Sequence, residues 1–247
     1  MESPPAEPAP SRLTVLISGS GTNLQALINA CSSRILPSSS IVRVISNRKA
    51  AYGLRRAEGA GIPTTYHNLL AYKKRFNDAG DPPTKSADAL DSADTAARNA
   101  YDADLASLVL ADAPDLVVCA GWMHILTTSF LSPLSSAKVP VINLHPALTR
   151  EFDGTNAIAR AHAAFQEGRI KRTGIMIHYV VRDVDRGEPI VVKEVEMREG
   201  EGLEGLEERI HVAEHELIVK GTGVALARLW EEREREKERS YSPPKYA

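Results

Sequence analysis

Asn143 and His145 stand two residues apart in the apolar run Val141-Ile-Asn-Leu-His-Pro146. On a strand that spacing puts both on one face and Leu144 on the other. Pro146 cannot donate to a ladder and helps to end the strand. An asparagine amide is a neutral N–H donor for a developing oxyanion. A histidine beside it can act as acid or base near neutral pH. A purely structural Asn–His pair at a turn is the competing reading. Asp183 and Asp185 follow the run that carries His178. Either could orient a histidine and raise its pKa through opposite charge, although exposed turn aspartates are the commoner case.

A second constellation is Ser18-Gly-Ser-Gly-Thr-Asn23, between a β-branched apolar run and a segment with helical spacing. Gly19 and Gly21 permit positive φ and close approach of backbone N–H groups to an anion. Thr22 and Asn23 add side-chain donors where the helix dipole favours negative charge. The third glycine of a dinucleotide fingerprint is absent, and no Gly-Lys-Ser/Thr follows as in a P-loop. One phosphate monoester is the natural guest, and a tight turn with Thr22 as helix cap is the alternative.

Other chemistries find less support. No Gly-x-Ser-x-Gly elbow and no His-Glu-x-x-His occurs. His211 and His215 are four apart and could hold a metal, but with Glu214 between them they fit a polar helix face near a substrate better. No metal is expected. His67 and His162 show no partner signal and are taken as surface residues. The two cysteines, Cys31 and Cys119, lie in apolar surroundings and suit a reducing compartment, so a cytoplasmic location is expected.

These residues need elements to position them. Strands are expected at 13–18, 40–46, 62–67, 115–121, 139–145, 175–181 and 189–197. Helices are expected at 24–30, 52–61, 96–111, 155–168 and 204–228, the last open to interruption near Gly221 and Gly223. The alternation predicts an open, mostly parallel α/β sheet with helices on both faces and a mixed edge. In such sheets ligands bind outside the carboxyl ends of the strands. The Pro-, Ala-, Ser- and Asp-rich segment 76–95 reads as an inserted loop, residues 1–11 as a disordered tail, and 231–247 as a charged, Pro-containing tail. One domain is expected over 12–230. The chain has 247 residues and a net charge of −2, which argues against a broad nucleic-acid surface. It has no apolar run of ~18 residues, so no membrane span is expected.

Four motifs occur in order: Ser18-Gly-Ser-Gly-Thr-Asn23, Ala120-Gly-Trp-Met-His-Ile-Leu126, Asn143-Leu-His-Pro-Ala-Leu148 and His178-Tyr-Val-Val-Arg-Asp-Val-Asp185. The ordered set resembles the phosphoribosylglycinamide formyltransferase family of folate-dependent enzymes, from about Leu13 to Leu229. The resemblance implies a Rossmann-like, formyltransferase-like sheet. It also implies formyl transfer from 10-formyltetrahydrofolate to glycinamide ribonucleotide in purine biosynthesis. By this resemblance Asn143, His145 and Asp185 are catalytic. Gly19, Ser20, Gly21, Thr22, Asn23 and Glu214 hold the ribonucleotide. Met123, His124, Ile125, Leu126, Val181, Arg182, Asp183 and Asp185 line the folate site, with His178 in support. The small-molecule substrates are the expected partners, without nucleic acid or membrane, for a monomer or homodimer.

The chain departs from the family pattern at three places. His124 stands where relatives often carry arginine, near the folate tail. Thr149-Arg150 replaces a Leu-Pro step, and Arg186 precedes Gly187 where a second glycine is common. The expected mechanism has Asn143 and a charged His145 donating to the oxyanion, with Asp185 keeping His145 charged and relaying a proton. Sister readings are a formyltetrahydrofolate hydrolase or another folate formyltransferase. A nucleotide-binding module with a degenerated site is the non-enzymatic alternative.

Overall fold

β-Branched and aliphatic residues fill the first strand, β1 (Ser11–Ile17), and side chains of alternate residues enter opposite cores. Leu13, Val15 and Ile17 face one core and Leu16 the other. The structure, a computed structural model, describes residues 10–36, 38–78 and 87–240. After β1 come α1 (Thr22–Ser32), β2 (Ser39–Ser46), α2 (Tyr52–Gly59), β3 (Thr64–Tyr66), α3 (Leu69–Asp78) and α4 (Ala87–Leu110). Then follow β4 (Leu116–Cys119), α5 (Thr128–Ser136), β5 (Val141–His145), α6 (Ala157–Gln166), β6 (Arg172–Tyr179), β7 (Pro189–Glu196) and α7 (Leu203–Ser240).

The strands form one sheet in the order β3-β2-β1-β4-β5-β6-β7. The first five strands in that order pair in parallel, and β5–β6 and β6–β7 are antiparallel. This is the open, mostly parallel sheet with a mixed edge that the strand–helix alternation predicts. Helices cover both faces: α1 and α7 bury Leu24, Leu27, Ile210 and Leu217 on one, α4 and α5 bury Tyr101, Leu105, Phe130 and Leu134 on the other. The chain leaves β1 for β2 on one side and returns to β4 on the other. That reversal opens a crevice at the carboxyl ends of β1 and β4, where such sheets bind ligands.

Several segments differ from the sequence expectation. Residues 76–78 close α3 and 87–95 open α4, so most of the expected loop is helical; 79–86 lie outside the described residues. Alanine favours helix even where apolar periodicity is weak, and the weak periodicity concealed α4. α5 is not among the expected helices; it carries Pro133 in its interior, and Thr127 Oγ1 caps it by accepting the Ser129 N–H at 3.2 Å. α7 runs unbroken through Gly221 and Gly223 and on to Ser240, so residues 231–240 of the charged tail are helical, an extension that its Glu/Arg alternation at i,i+4 spacing allows. Ion pairs from Arg233 to Asp115 and from Lys138 to Glu236 hold the extension against the body. The expected disorder at 1–9 and the tail at 241–247 fall outside the described residues. Ser11 belongs to β1, so the tail expected over 1–11 is too long by at least that residue.

Candidate active site

Two loops meet at the crevice. The first follows β1 and turns at Gly21, φ +72°, which stands at the start of α1 with no side-chain cap. Thr22 is therefore not the helix cap of the alternative reading. A Cβ at Gly21 would lie 2.5 Å from Gly53 Cα, so only glycine permits this approach of α2. α2 then braces the loop: Gly53 N donates to Gly19 O at 3.1 Å and Arg56 Nε to Ser20 O at 2.9 Å. The exposed Gly19–Ser20 turn and the first amides of α1 form an anion-compatible cradle at the helix's positive end. Asn23 is turned inward, and its Nδ2 donates to Glu214 Oε2 at 3.0 Å. Its buried Oδ1 has no hydrogen-bond partner. Burial pushes the Glu214 carboxyl up; Asn23 and His211 pull it back only in part.

The second constellation sits where β5 meets the antiparallel β6. Asn143 pairs with His178 in register, and Asn143 Nδ2 lies 3.3 Å from His178 Nε2. His178 Nδ1 is 2.9 Å from Tyr179 O, a carbonyl, so Nδ1 carries a proton. Asp185, at φ +55°, brings Oδ2 to 3.4 Å from His145 Nδ1 and Oδ1 to 3.5 Å from His178 Nε2. Gly154 N donates to Asp185 Oδ2 at 2.8 Å. Gly187 seals this loop onto β6, since a Cβ there would fall 1.6 Å from Tyr179 O. With Nδ1 of His145 facing the carboxylate, Nε2 is left buried and without a partner.

Electrostatics correct one expectation. Burial lowers the His145 pKa more than the charge of Asp185 raises it, with His178 adding to the lowering. Asp185 does not win, so the free site holds a neutral His145. Burial also pushes the Asp185 carboxyl up, but His178, Gly154 N and His145 together hold it below the usual carboxylate range. Asp183 is exposed, so Asp185 is the aspartate that reaches the histidines. Arg186 forms an ion pair with Asp153 at 2.5 Å, tying the 183–187 loop to the segment after Thr149-Arg150.

The residues expected at the folate site lie on two segments, the loop after β4 and the end of β6. Met123 and Ile125 project outward, 68% and 54% exposed, while Leu126 is buried. His124 turns inward, its Nε2 2.8 Å from Asp102 Oδ1, and does not stand at the surface as a tail contact would. Val181 and Arg182 line a cleft of about 790 Å³ between α5, the end of β6 and α7, together with Leu131, Val141 and Val180. Asn143, His145 and Asp185 do not line that cleft. Its size suits a small organic ligand.

Other histidines also differ from expectation. His67 is buried, stacked on Tyr101 at 4.2 Å with Nε2 2.9 Å from Tyr101 O. His162 is half-buried, Nε2 3.1 Å from Glu201 O. Neither is a surface residue without partners. Among the described residues, no three His, Cys, Asp or Glu side chains group as a metal site. No described helix is long and apolar enough to cross a membrane.

A formyl transferase family model matches residues 11–222, which hold both loops and the Asn143–His145–Asp185 cluster. The chain belongs to the formyl transferase family. Within this family it is 47% identical over 209 residues to phosphoribosylglycinamide formyltransferase of Schizosaccharomyces pombe, covering 84% of this chain and 93% of that one. It is also 47% identical over 223 residues to the Saccharomyces cerevisiae protein of the same name, covering 89% and 99%. Among solved structures it resembles glycinamide ribonucleotide transformylase 1 from Symbiobacterium toebii, with TM-score 0.71, 32% identity and 89% of each chain covered.

Sequence reasoning missed four residues that support the loops of the candidate site: Gly53 and Arg56, which brace the first loop, Gly154, whose amide holds Asp185, and Asp102, whose carboxylate ties the loop after β4. Two act through backbone groups, which leave no residue-type signal. Asp102 sits in α4 beside the apolar Tyr101 and Leu105 and reads as a solvated acid until the helix is placed.

Proposed function

We propose that this chain transfers the formyl group of 10-formyltetrahydrofolate to the amine of glycinamide ribonucleotide, in the cytoplasm, as a step of de novo purine biosynthesis. The observation that carries the reading is the orphaned His145 Nε2, buried beside the Asn143 amide and backed by Asp185. A buried nitrogen without a partner is costly unless a reacting group completes it. Gly19, Ser20, Gly21 and Thr22 hold the ribonucleotide phosphate in the cradle, while Asn23 and Glu214, joined to each other, face the sugar. Met123, Ile125, Leu126, Val181, Arg182 and Asp183 border the donor. The names of the relatives support this assignment of substrates.

Asn143 stabilises the oxyanion that forms when the amine attacks the formyl carbon. His145 Nε2, neutral at rest, takes the proton that the amine nitrogen loses as the C–N bond forms. The imidazolium faces Asp185 across Nδ1 and donates to the same oxyanion. As the intermediate collapses, His145 returns that proton to the departing folate nitrogen. No covalent enzyme intermediate is required, and the loops supply orientation.

One assay tests the reading. The chain is incubated with 10-formyltetrahydrofolate, with and without glycinamide ribonucleotide, and deformylation is followed. Deformylation that requires the ribonucleotide is expected. Deformylation without it would make the chain a hydrolase, and none at all would make it a binding protein.

A further inference from the structure

Asp102 lies on α4, outside the cluster described above, and its side chain is wholly buried. Its carboxylate reaches across to the loop after β4 at two points. Oδ1 lies 2.8 Å from His124 Nε2, and Oδ2 accepts the Thr127 N–H at 2.6 Å. The His124 side chain is only 5% exposed, walled edge-on by Tyr101 at 5.1 Å and Trp122 at 6.1 Å. The other end of the loop is tied to β1: Met123 N donates to Ser18 Oγ at 2.8 Å, and Ser18 N to Gly121 O at 3.0 Å. Between the ties, only Met123 and Ile125 present large apolar side chains outward. A carboxylate at this depth is strongly disfavoured without partners. The pair therefore resists any loop movement that would strand Asp102. Thr127 also caps α5, so the same carboxylate sets where that helix starts.

We propose that Asp102 and His124 are positioning residues for the formyl donor. They hold the 121–127 loop in its binding shape, and His124 acts through the backbone without touching the donor's glutamate tail. A surface held in advance costs less ordering when the ligand arrives. The proposal rests on the formyl-transfer reading.

The test uses the full chain and the variants Asp102→Asn, His124→Gln and His124→Leu. Kinetics are measured with donor carrying one or several glutamates, and amide hydrogen exchange is followed at Thr127. Loss of a charged hydrogen bond should raise donor KM about tenfold in D102N, equally for both donors, with ribonucleotide KM and kcat within about twofold. Thr127 exchange should accelerate. H124Q, which keeps a donor for Asp102, should restore most donor affinity, and H124L should not. Should D102N not fold, H124L carries the same comparison. An unchanged donor KM with unchanged Thr127 exchange in a folded variant overturns the proposal. An effect confined to the polyglutamylated donor overturns it as well, because His124 would then read the tail. If the wild-type chain transfers no formyl group, the functional reading fails, and Thr127 exchange still decides whether the tie exists.

Discussion

At His145 two forces oppose each other. Burial favours the neutral ring, and the Asp185 carboxylate favours the charged one; burial wins. The base form is active in the proposed reaction, so kcat/KM should fall as pH drops through a value below the ordinary 6.5. Removing the negative charge in Asp185→Asn takes away the upward pull, so the acid limb should move further down. The same variant should lose about 10²- to 10⁴-fold in kcat while the ribonucleotide still binds. A pH–rate profile and equilibrium binding check both statements. An acid limb at or above 6.5 in the unmodified chain would contradict the role assigned to His145. The shared face of Asn143 and His145 was legible from their spacing. Residue types alone left Asp183 and Asp185 open and only the family resemblance picked Asp185, because the contact depends on a left-handed backbone at Asp185 and on an amide from Gly154.

The loop after β1 owes its shape to an element that its own residues do not reveal. Gly21 touches Gly53, and Arg56 takes the carbonyl of Ser20, so α2 is the splint of the phosphate cradle. Gly21→Ala would force φ +72° on a residue with a Cβ and drive that Cβ into backbone. Strain of this kind costs about 1–3 kcal/mol. A lower denaturation midpoint and a raised ribonucleotide KM are expected, with donor KM unchanged; an unchanged ribonucleotide KM in the folded variant would detach α2 from phosphate binding. Element types were legible wherever apolar periodicity was strong, as in β1, α1 and β5. They were not in α4, whose first turns are Ala-, Asp- and Ser-rich, nor in α5, where Pro133 imitates a stop.

Across the molecule, the order of connection reverses between the parallel neighbours β1 and β4, and the loops of the candidate site gather at the carboxyl ends of these central strands and of β5. α7 crosses one face, brings Glu214 to Asn23, and continues far beyond it. Its last turns meet the body through Arg233–Asp115, which is partly buried, and Lys138–Glu236, which is exposed. Exposed pairs contribute little, so ending the chain after Trp230 should cost no more than about 2 kcal/mol in denaturant unfolding. Both KM values should stay unchanged. A several-fold rise in either would assign the extension to the site.

By itself the sequence determined the strand–helix alternation, the glycine loop, the common face of Asn143 and His145, and the family resemblance. All of these are local, since they depend on residue type and on the periods of strand and helix. Only the tertiary structure decided how Asp185 reaches His145, that burial outweighs that carboxylate at the ring, and that His124 turns inward to Asp102. Each of these depends on how deeply a group is buried and on partners distant in the chain, such as the 22-residue step from Asp102 to His124. Desolvation and long-range pairing exist only once the chain is folded.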